Sequence, residues 1–123
     1  MGNKQRILII DDDREMLALC KHLLQGKGYS TMTNVGCDNL LEIVEDFSPH
    51  LIFMDHNMPQ LCGAEATQLL KSRNNFKYIP VILFSAEPDI EELAQDAGAD
   101  GWLKKPFESQ NMLEVAKKMA LPF

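Results

Sequence analysis

Three runs of four consecutive apolar residues punctuate the chain, at positions 7–10, 51–54 and 81–84. Each is too short for a buried helix and rich in β-branched or aromatic side chains, so each predicts a buried strand. Between them, apolar residues recur at spacings of three and four, the period of an α-helix. Met16, Leu17, Cys20, Leu23 and Leu24 predict a first helix closed by Gly26 and Gly28. Leu40, Leu41, Val44 and Phe47 predict a second, ended by Ser48-Pro49, and a third covers roughly residues 64–73. Ile79-Pro80 marks the entry to the next strand, because a residue before proline is pushed toward extended backbone. A fourth helix is expected from Asp89, with Glu92 at capping-box spacing, to Gly98. A fifth follows Pro106 and places Met112, Leu113, Ala116, Met119 and Ala120 on one face. Weaker strands are expected around residues 30–34 and 100–104.

The order of elements is therefore strand–helix repeated five times, an α/β chain. Such alternation predicts a doubly wound parallel sheet with helices on both faces, three layers deep, because parallel strands require right-handed crossovers. The 123 residues are expected to form a single domain, residues 1–123. A chain of 13.9 kDa buries about two thirds of its surface on folding, enough for a core without disulfides or a structural metal. In open sheets of this kind ligands bind beyond the carboxyl ends of the strands, at the topological switch point.

Charge narrows the function. Twelve basic against eighteen acidic residues give a net charge of −6, so direct nucleic-acid binding by this domain is not expected. No apolar run approaches the roughly 20 residues of a membrane span, and no signal-peptide pattern follows Met1. Cys20, Cys37 and Cys62 are odd in number and widely spaced, and read as reduced thiols of a cytoplasmic protein.

The polar residues that follow the strands carry the chemistry. Strand one runs into Asp11, Asp12 and Asp13, strand three into Asp55, strand four into Ser85 and strand five into Lys105-Pro106. Any one of these is an ordinary loop residue; acids, a hydroxyl and a lysine delivered to one rim form a site. If Asp11, Asp12 and Asp55 converge, Lys105 offsets only one of three charges. Two like charges at about 4 Å cost about 4 kcal/mol at an effective dielectric of about 20. The cluster then needs a divalent cation or raised carboxyl pKa values. Few carboxylates, completed by water and a phosphate oxygen, suit Mg²⁺ better than Ca²⁺. A lysine and a hydroxyl beside that metal are the parts that hold a phosphoryl group in line for transfer to a carboxylate.

The set Ile-Ile-Asp11-Asp12, Met-Asp55-His-Asn-Met-Pro59, Phe-Ser85-Ala86 and Lys105-Pro106-Phe107 resembles the receiver domain of two-component response regulators. The resemblance runs from about Arg6 to Met119. It implies a flavodoxin-like sheet of order 2-1-3-4-5 and a phosphorylation-activated switch. Asp55 is implied as the phosphoacceptor, with Asp12 a direct Mg²⁺ ligand, Asp11 a ligand through water and the Asn57 carbonyl a further ligand. Ser85 and Lys105 would bind the phosphoryl oxygens, and Trp102 falls at the position of the family's switch aromatic. The implied partners are a sensor histidine kinase or phosphotransfer protein and a downstream protein target. The expected enzyme status is that of a phosphoacceptor with self-catalysed phosphorylation and dephosphorylation, not an enzyme acting on others. Cys62 stands where the family often has Asp, and Trp102 is bulkier than the usual aromatic.

Two rivals share some of these parts. A small Mg²⁺-dependent phosphatase of the haloacid dehalogenase type would use Asp11-x-Asp13, yet the chain has no room for a cap and that family has no use for Asp55. A phosphorylation-independent scaffold usually lacks an acid or the lysine, and all are present here. The remaining residues receive quieter roles. Asp13 starts helix one; His56 faces away from the metal, since neighbouring strand-end residues point to opposite sides; His22 and His50 lie on the surface; Lys104, Lys117 and Lys118 are solvated. Met112 and Met119 pack in the core, and Trp102 either fills core space or serves as the switch. Asn57 and Glu87, two residues beyond Asp55 and Ser85, border the path of an attacking water and tune hydrolysis. The run from Gly98 to Pro106 and a fifth helix without arginines point to a monomer, when unphosphorylated, with a protein–protein output. Both a stand-alone regulator and a receiver cut from a longer chain fit the ending Leu121-Pro122-Phe123.

Overall fold

Each of the five expected strands is present in the computed structural model, which describes residues 4–58 and 63–122. In chain order the elements are β1 (Arg6–Ile10), α1 (Arg14–Gln25), β2 (Ser30–Asn34), α2 (Leu40–Phe47), β3 (Leu51–Asp55), α3 (Gly63–Lys71), β4 (Val81–Ser85), α4 (Ile90–Ala97), β5 (Gly101–Lys104) and α5 (Ser109–Met119). The strands pair in parallel in the order β2-β1-β3-β4-β5. All residues of β3 and β4 are buried, which is why both read as unbroken apolar runs rather than alternating ones.

Side chains alternate across the sheet and divide the core in two. Leu8, Ile10, Ile52, Met54 and Leu83 face α2, α3 and α4, packing on Leu40, Val44, Leu70, Ile90 and Ala94. Ile7, Ile9, Phe53, Ile82 and Phe84 face α1 and α5, packing on Leu17, Cys20, Leu24, Met112 and Ala116. The sheet is thus the middle of three layers. No helix among the described residues is long and apolar enough to cross a membrane.

Several expectations are corrected. Helix α3 begins one residue earlier than the pattern implies and ends at Lys71 rather than Arg73. Asp89 precedes α4, but its backbone (φ −99°, ψ 23°) is not extended, so its side chain makes no capping bond and the capping box is absent. Its carbonyl still accepts the first helical bond, from the Leu93 N–H at 3.0 Å. Gly98 does end α4 in the left-handed conformation (φ 81°), as the pattern implies. His50 is buried at 7% exposure, not on the surface. It follows Pro49 into β3 and lies against β1, where its Nδ1 accepts the Arg6 N–H at 2.9 Å while its own N–H bonds the Arg6 carbonyl at 2.7 Å. Burial, and then the charge of Arg6, hold its pKa below the usual histidine value. Trp102 is 40% exposed, so it does not fill the core, whereas Met112 is fully buried. His22, Lys104, Lys117 and Lys118 are exposed as expected. Pro59 and Cys62 lie outside the described residues.

Two devices pull α3 into place. Lys71 Nζ donates to Asp100 Oδ2 at 2.7 Å and to the Ile79 carbonyl at 2.8 Å, and the same Asp100 oxygen accepts the Val81 N–H at 2.8 Å. At the other end of α3, Gly63 rides on the β3 exit: its N–H bonds the His56 carbonyl at 3.0 Å. A Cβ there would sit 2.5 Å from the Asp55 carbonyl oxygen and 2.8 Å from His56 Cα, both backbone atoms that cannot step aside. Gly63→Ala is therefore expected to destabilise the fold by about 1–3 kcal/mol. Urea unfolding checks this, and an unchanged midpoint would show that the helix can lift off the strand at no cost.

Candidate functional site: an acid cluster bridged by a lysine

The carboxyl ends of β1, β3, β4 and β5 meet at one rim, and the polar residues that follow them converge there. Asp11 leaves β1 fully buried, with its N–H still bonded to the Asn34 carbonyl at 3.2 Å. Asp55 ends β3 at 3% exposure. Asp12 is exposed beside them, and the three carboxylates can present ligand oxygens all within 4.8 Å of one another.

Lys105 is the cation that makes this arrangement tolerable. The Lys105 N–H donates to the Ser85 carbonyl at 2.8 Å, which fixes its backbone to β4. Its Nζ reaches Asp11 Oδ2 at 3.0 Å and Asp55 Oδ1 at 3.1 Å, bridging β1 and β3. The peptide bond between Lys105 and Pro106 is cis. One ammonium does not neutralise three carboxylates, and the two buried acids are held above the usual carboxylate range. Burial, then the charge of Asp11, push the Asp55 carboxyl up to about 6 even though Lys105 pulls the other way. Burial likewise raises Asp11, against the opposing hydrogen bonds from the Asp13 N–H and Lys105. Burial alone would lower Lys105, yet its hydrogen bonds and charge contacts with both acids outweigh that and hold it above the usual lysine value. Hard oxygen donors with surplus negative charge fit a small divalent cation such as Mg²⁺.

The other polar residues fall around this centre. Asp13 caps α1, its Oδ1 accepting the Glu15 N–H at 3.0 Å, as its assignment to the helix start requires. The same loop supplies a bond inward, from the Asp13 N–H to Asp11 Oδ1 at 3.0 Å, which orients that carboxylate. Ser85 is fully buried, and its Oγ accepts the Glu87 N–H at 3.0 Å. Asn57 and Glu87 are exposed at the mouth and reach each other, Asn57 Nδ2 donating to Glu87 Oε1 at 3.5 Å. His56 is half-buried and directs Nδ1 to the Ala64 N–H of α3 at 3.4 Å, not to the acids. Trp102, on the edge strand, stands with its side chain partly in solvent. Burial, then the charge of Asp11, push the Cys20 thiol up to about 12, so it is inert at neutral pH.

One participant was missed by the sequence reading. Lys105 Nζ lies 4.8 Å from the centroid of the Phe84 ring, and Phe84 is completely buried beneath it. Phe84 reads as strand core because it ends an apolar run; only the register that sets it beside Asp55 exposes its second role.

Comparison with known proteins agrees with this geometry. The chain is 30% identical over 114 residues to protein PilG of Pseudomonas aeruginosa, spanning 91% of this chain and 84% of that one. It is 28% identical to the polar-differentiation response regulator DivK of Brucella anthropi, over 90% of this chain and 92% of that protein. Among solved structures, chemotaxis protein CheY4 of Vibrio cholerae superposes with a TM-score of 0.87 at 25% identity, covering 95% of this chain and 99% of that one. The model of the response regulator receiver domain matches residues 7–117. With the sheet order, the acid cluster and the lysine all in place, the chain belongs to the response regulator receiver domain family of two-component signalling.

Proposed function

We propose that the chain is a phosphorylation-activated switch in which Asp55 accepts a phosphoryl group from a phosphohistidine of a sensor kinase or phosphotransfer protein. The observation that carries this reading is the single ammonium of Lys105 held between two buried carboxylates, at 3.0 Å from Asp11 and 3.1 Å from Asp55. Asp11, Asp12, Asp55 and the Asn57 carbonyl would hold Mg²⁺, with Asp11 acting through water. When bound, that ion would supply charge neutralisation for the phosphoryl oxygens beside the acids. An Asp55 oxygen attacks phosphorus; its P–O bond forms as the donor's N–P bond breaks, and the leaving imidazole takes up a proton. Ser85 Oγ then bonds one phosphoryl oxygen and Lys105 pairs with another. Withdrawal of Ser85 toward Asp55 opens space that Trp102 enters, and the surface formed by α4, β5 and α5 changes shape for a protein partner.

Intact-mass measurement after treatment with acetyl phosphate and Mg²⁺ tests the assignment. One added phosphoryl group is expected, absent in Asp55→Asn and without turnover of an exogenous phosphoester. An adduct that persists in the variant would move the acceptor elsewhere, and steady phosphoester turnover would favour a phosphatase. The lifetime of the adduct provides a further check. Asn57 and Glu87 touch across the mouth, where an attacking water enters. Replacing both by leucine is expected to slow dephosphorylation several-fold by shielding phosphorus; an unchanged decay with Mg²⁺ binding intact would remove them from that role.

A further inference from the structure

Among the described residues Lys105 is the cation that bonds both buried acids, and beneath those bonds its ammonium rests on an aromatic ring. Its Nζ sits 4.8 Å from the centroid of Phe84, inside the distance at which the negative face of an aromatic ring attracts a cation. The position follows from the register: Phe84 is directly paired with Asp55 across β3 and β4, so both side chains leave the same face of the sheet. The ring is fully buried, and two edge-to-face aromatic contacts fix its plane. Phe107 lies at 6.0 Å and 84°, Phe53 at 6.4 Å and 66°. Lys105 itself is 20% exposed along its side chain, so a route to solvent lies open beside the site.

We propose that Phe84 is a positioning residue for phosphoryl transfer at Asp55: its ring face carries the Lys105 ammonium and keeps it directed at the reacting oxygens. The inference rests on Asp55 as phosphoacceptor. A ring face attracts the charge without consuming an N–H, so the donors of the ammonium stay free for Asp11, Asp55 and the incoming phosphoryl oxygen. An aliphatic side chain of similar size fills the same space but exerts no such pull. The lysine then loses its anchor whenever its carboxylate partners change, which is the moment of transfer.

The test compares the unmodified protein with Phe84→Leu and with site-specifically incorporated phenylalanines of increasing ring fluorination, which keep the shape and weaken the quadrupole. Proton NMR of the metal-free protein is expected to show the Lys105 ε-methylene protons shifted upfield by the Phe84 ring and restored to ordinary positions in Phe84→Leu. Labelling by acetyl phosphate at saturating Mg²⁺ is expected to slow step by step with fluorination, by about three- to tenfold at full substitution, while the urea midpoint stays constant. A labelling rate indifferent to fluorination would overturn the positioning role, and an unshifted Lys105 would overturn the stacking. Should Phe84→Leu fail to fold, the isosteric rings still decide. Failure of the unmodified protein to take up phosphate would instead overturn the reading of Asp55, while the NMR shift judges the stacking by itself.

Discussion

Asp55→Asn is expected to stabilise the Mg²⁺-free protein at pH 7 by about 1–3 kcal/mol, an unusual sign for a change at a buried polar residue. The reason lies in where Asp55 holds its proton. Its carboxyl titrates near 6 in the folded chain against 3.8 as the reference value. Between those values the folded protein retains a proton that the unfolded chain has lost, so stability falls as pH rises through the window. Above pH 6 the full penalty stands, about 1.4 kcal/mol for each pH unit of the shift. Lys105 is also raised, but its contribution is constant far below the ordinary lysine range and adds no slope here. Burial raises Asp11 too and gives both proteins a slope of the same sign, so the difference between them is what isolates Asp55. Asparagine keeps the shape and carries no charge, so the difference between the two proteins should be near zero at pH 4 and largest above pH 6. Urea unfolding with a chelator present across that range measures it. A difference that ignores pH would place the strain elsewhere, and Mg²⁺ should narrow the gap by stabilising the wild type more than the variant, which keeps Asp11 and Asp12 but lacks one carboxylate.

Removing the cation should act with the opposite sign. Lys105→Met leaves Asp11 and Asp55 buried with no positive partner. Breaking a buried ion pair from one side costs about 3–5 kcal/mol, and uptake of a proton by the acids sets the lower end of that range at neutral pH. Metal binding moves the other way. Lys105 neutralises the carboxylates that a divalent cation would bind, and the two cations repel, so its loss is expected to raise Mg²⁺ affinity about tenfold. The variant should therefore be the least stable without metal and gain the most from adding it. Thermal unfolding with and without Mg²⁺ reads both effects in one experiment. Loss of stability together with loss of metal affinity would mean that Lys105 shapes the site rather than competing within it.

Much of this architecture can be read from residue pattern because parallel strands buried on both faces leave an unmistakable trace. The runs ending in Ile10, Met54 and Phe84 define three strands, and the polar residue after each points to the rim. The convergence of Asp11, Asp55 and Lys105 follows once strands are parallel, since their carboxyl ends then share one edge. What resists such reading depends on contacts between residues far apart in the chain. Nothing near His50 in the chain signals its burial, which brings its Nδ1 against the Arg6 N–H of β1, 44 residues away. The Lys71–Asp100 bridge is equally remote. Asp89 has the right spacing for a cap, but a backbone conformation, not a spacing, decides whether its side chain can reach. Phe84 is the subtlest case: a core phenylalanine and a cation platform have the same one-letter signature.

The outward placement of the chain's single tryptophan has a spectroscopic consequence. At 40% exposure on an edge strand, the Trp102 indole is in contact with water, which predicts red-shifted emission open to quenching by iodide or acrylamide. A population in which the ring has turned into the space beside Ser85 would emit further to the blue and resist those quenchers. With no second indole to dilute the signal, each photon from that band reports on one side chain beside β4. Any shift of Trp102 from its exposed position would therefore be followed in real time, with no dye and no labelled partner.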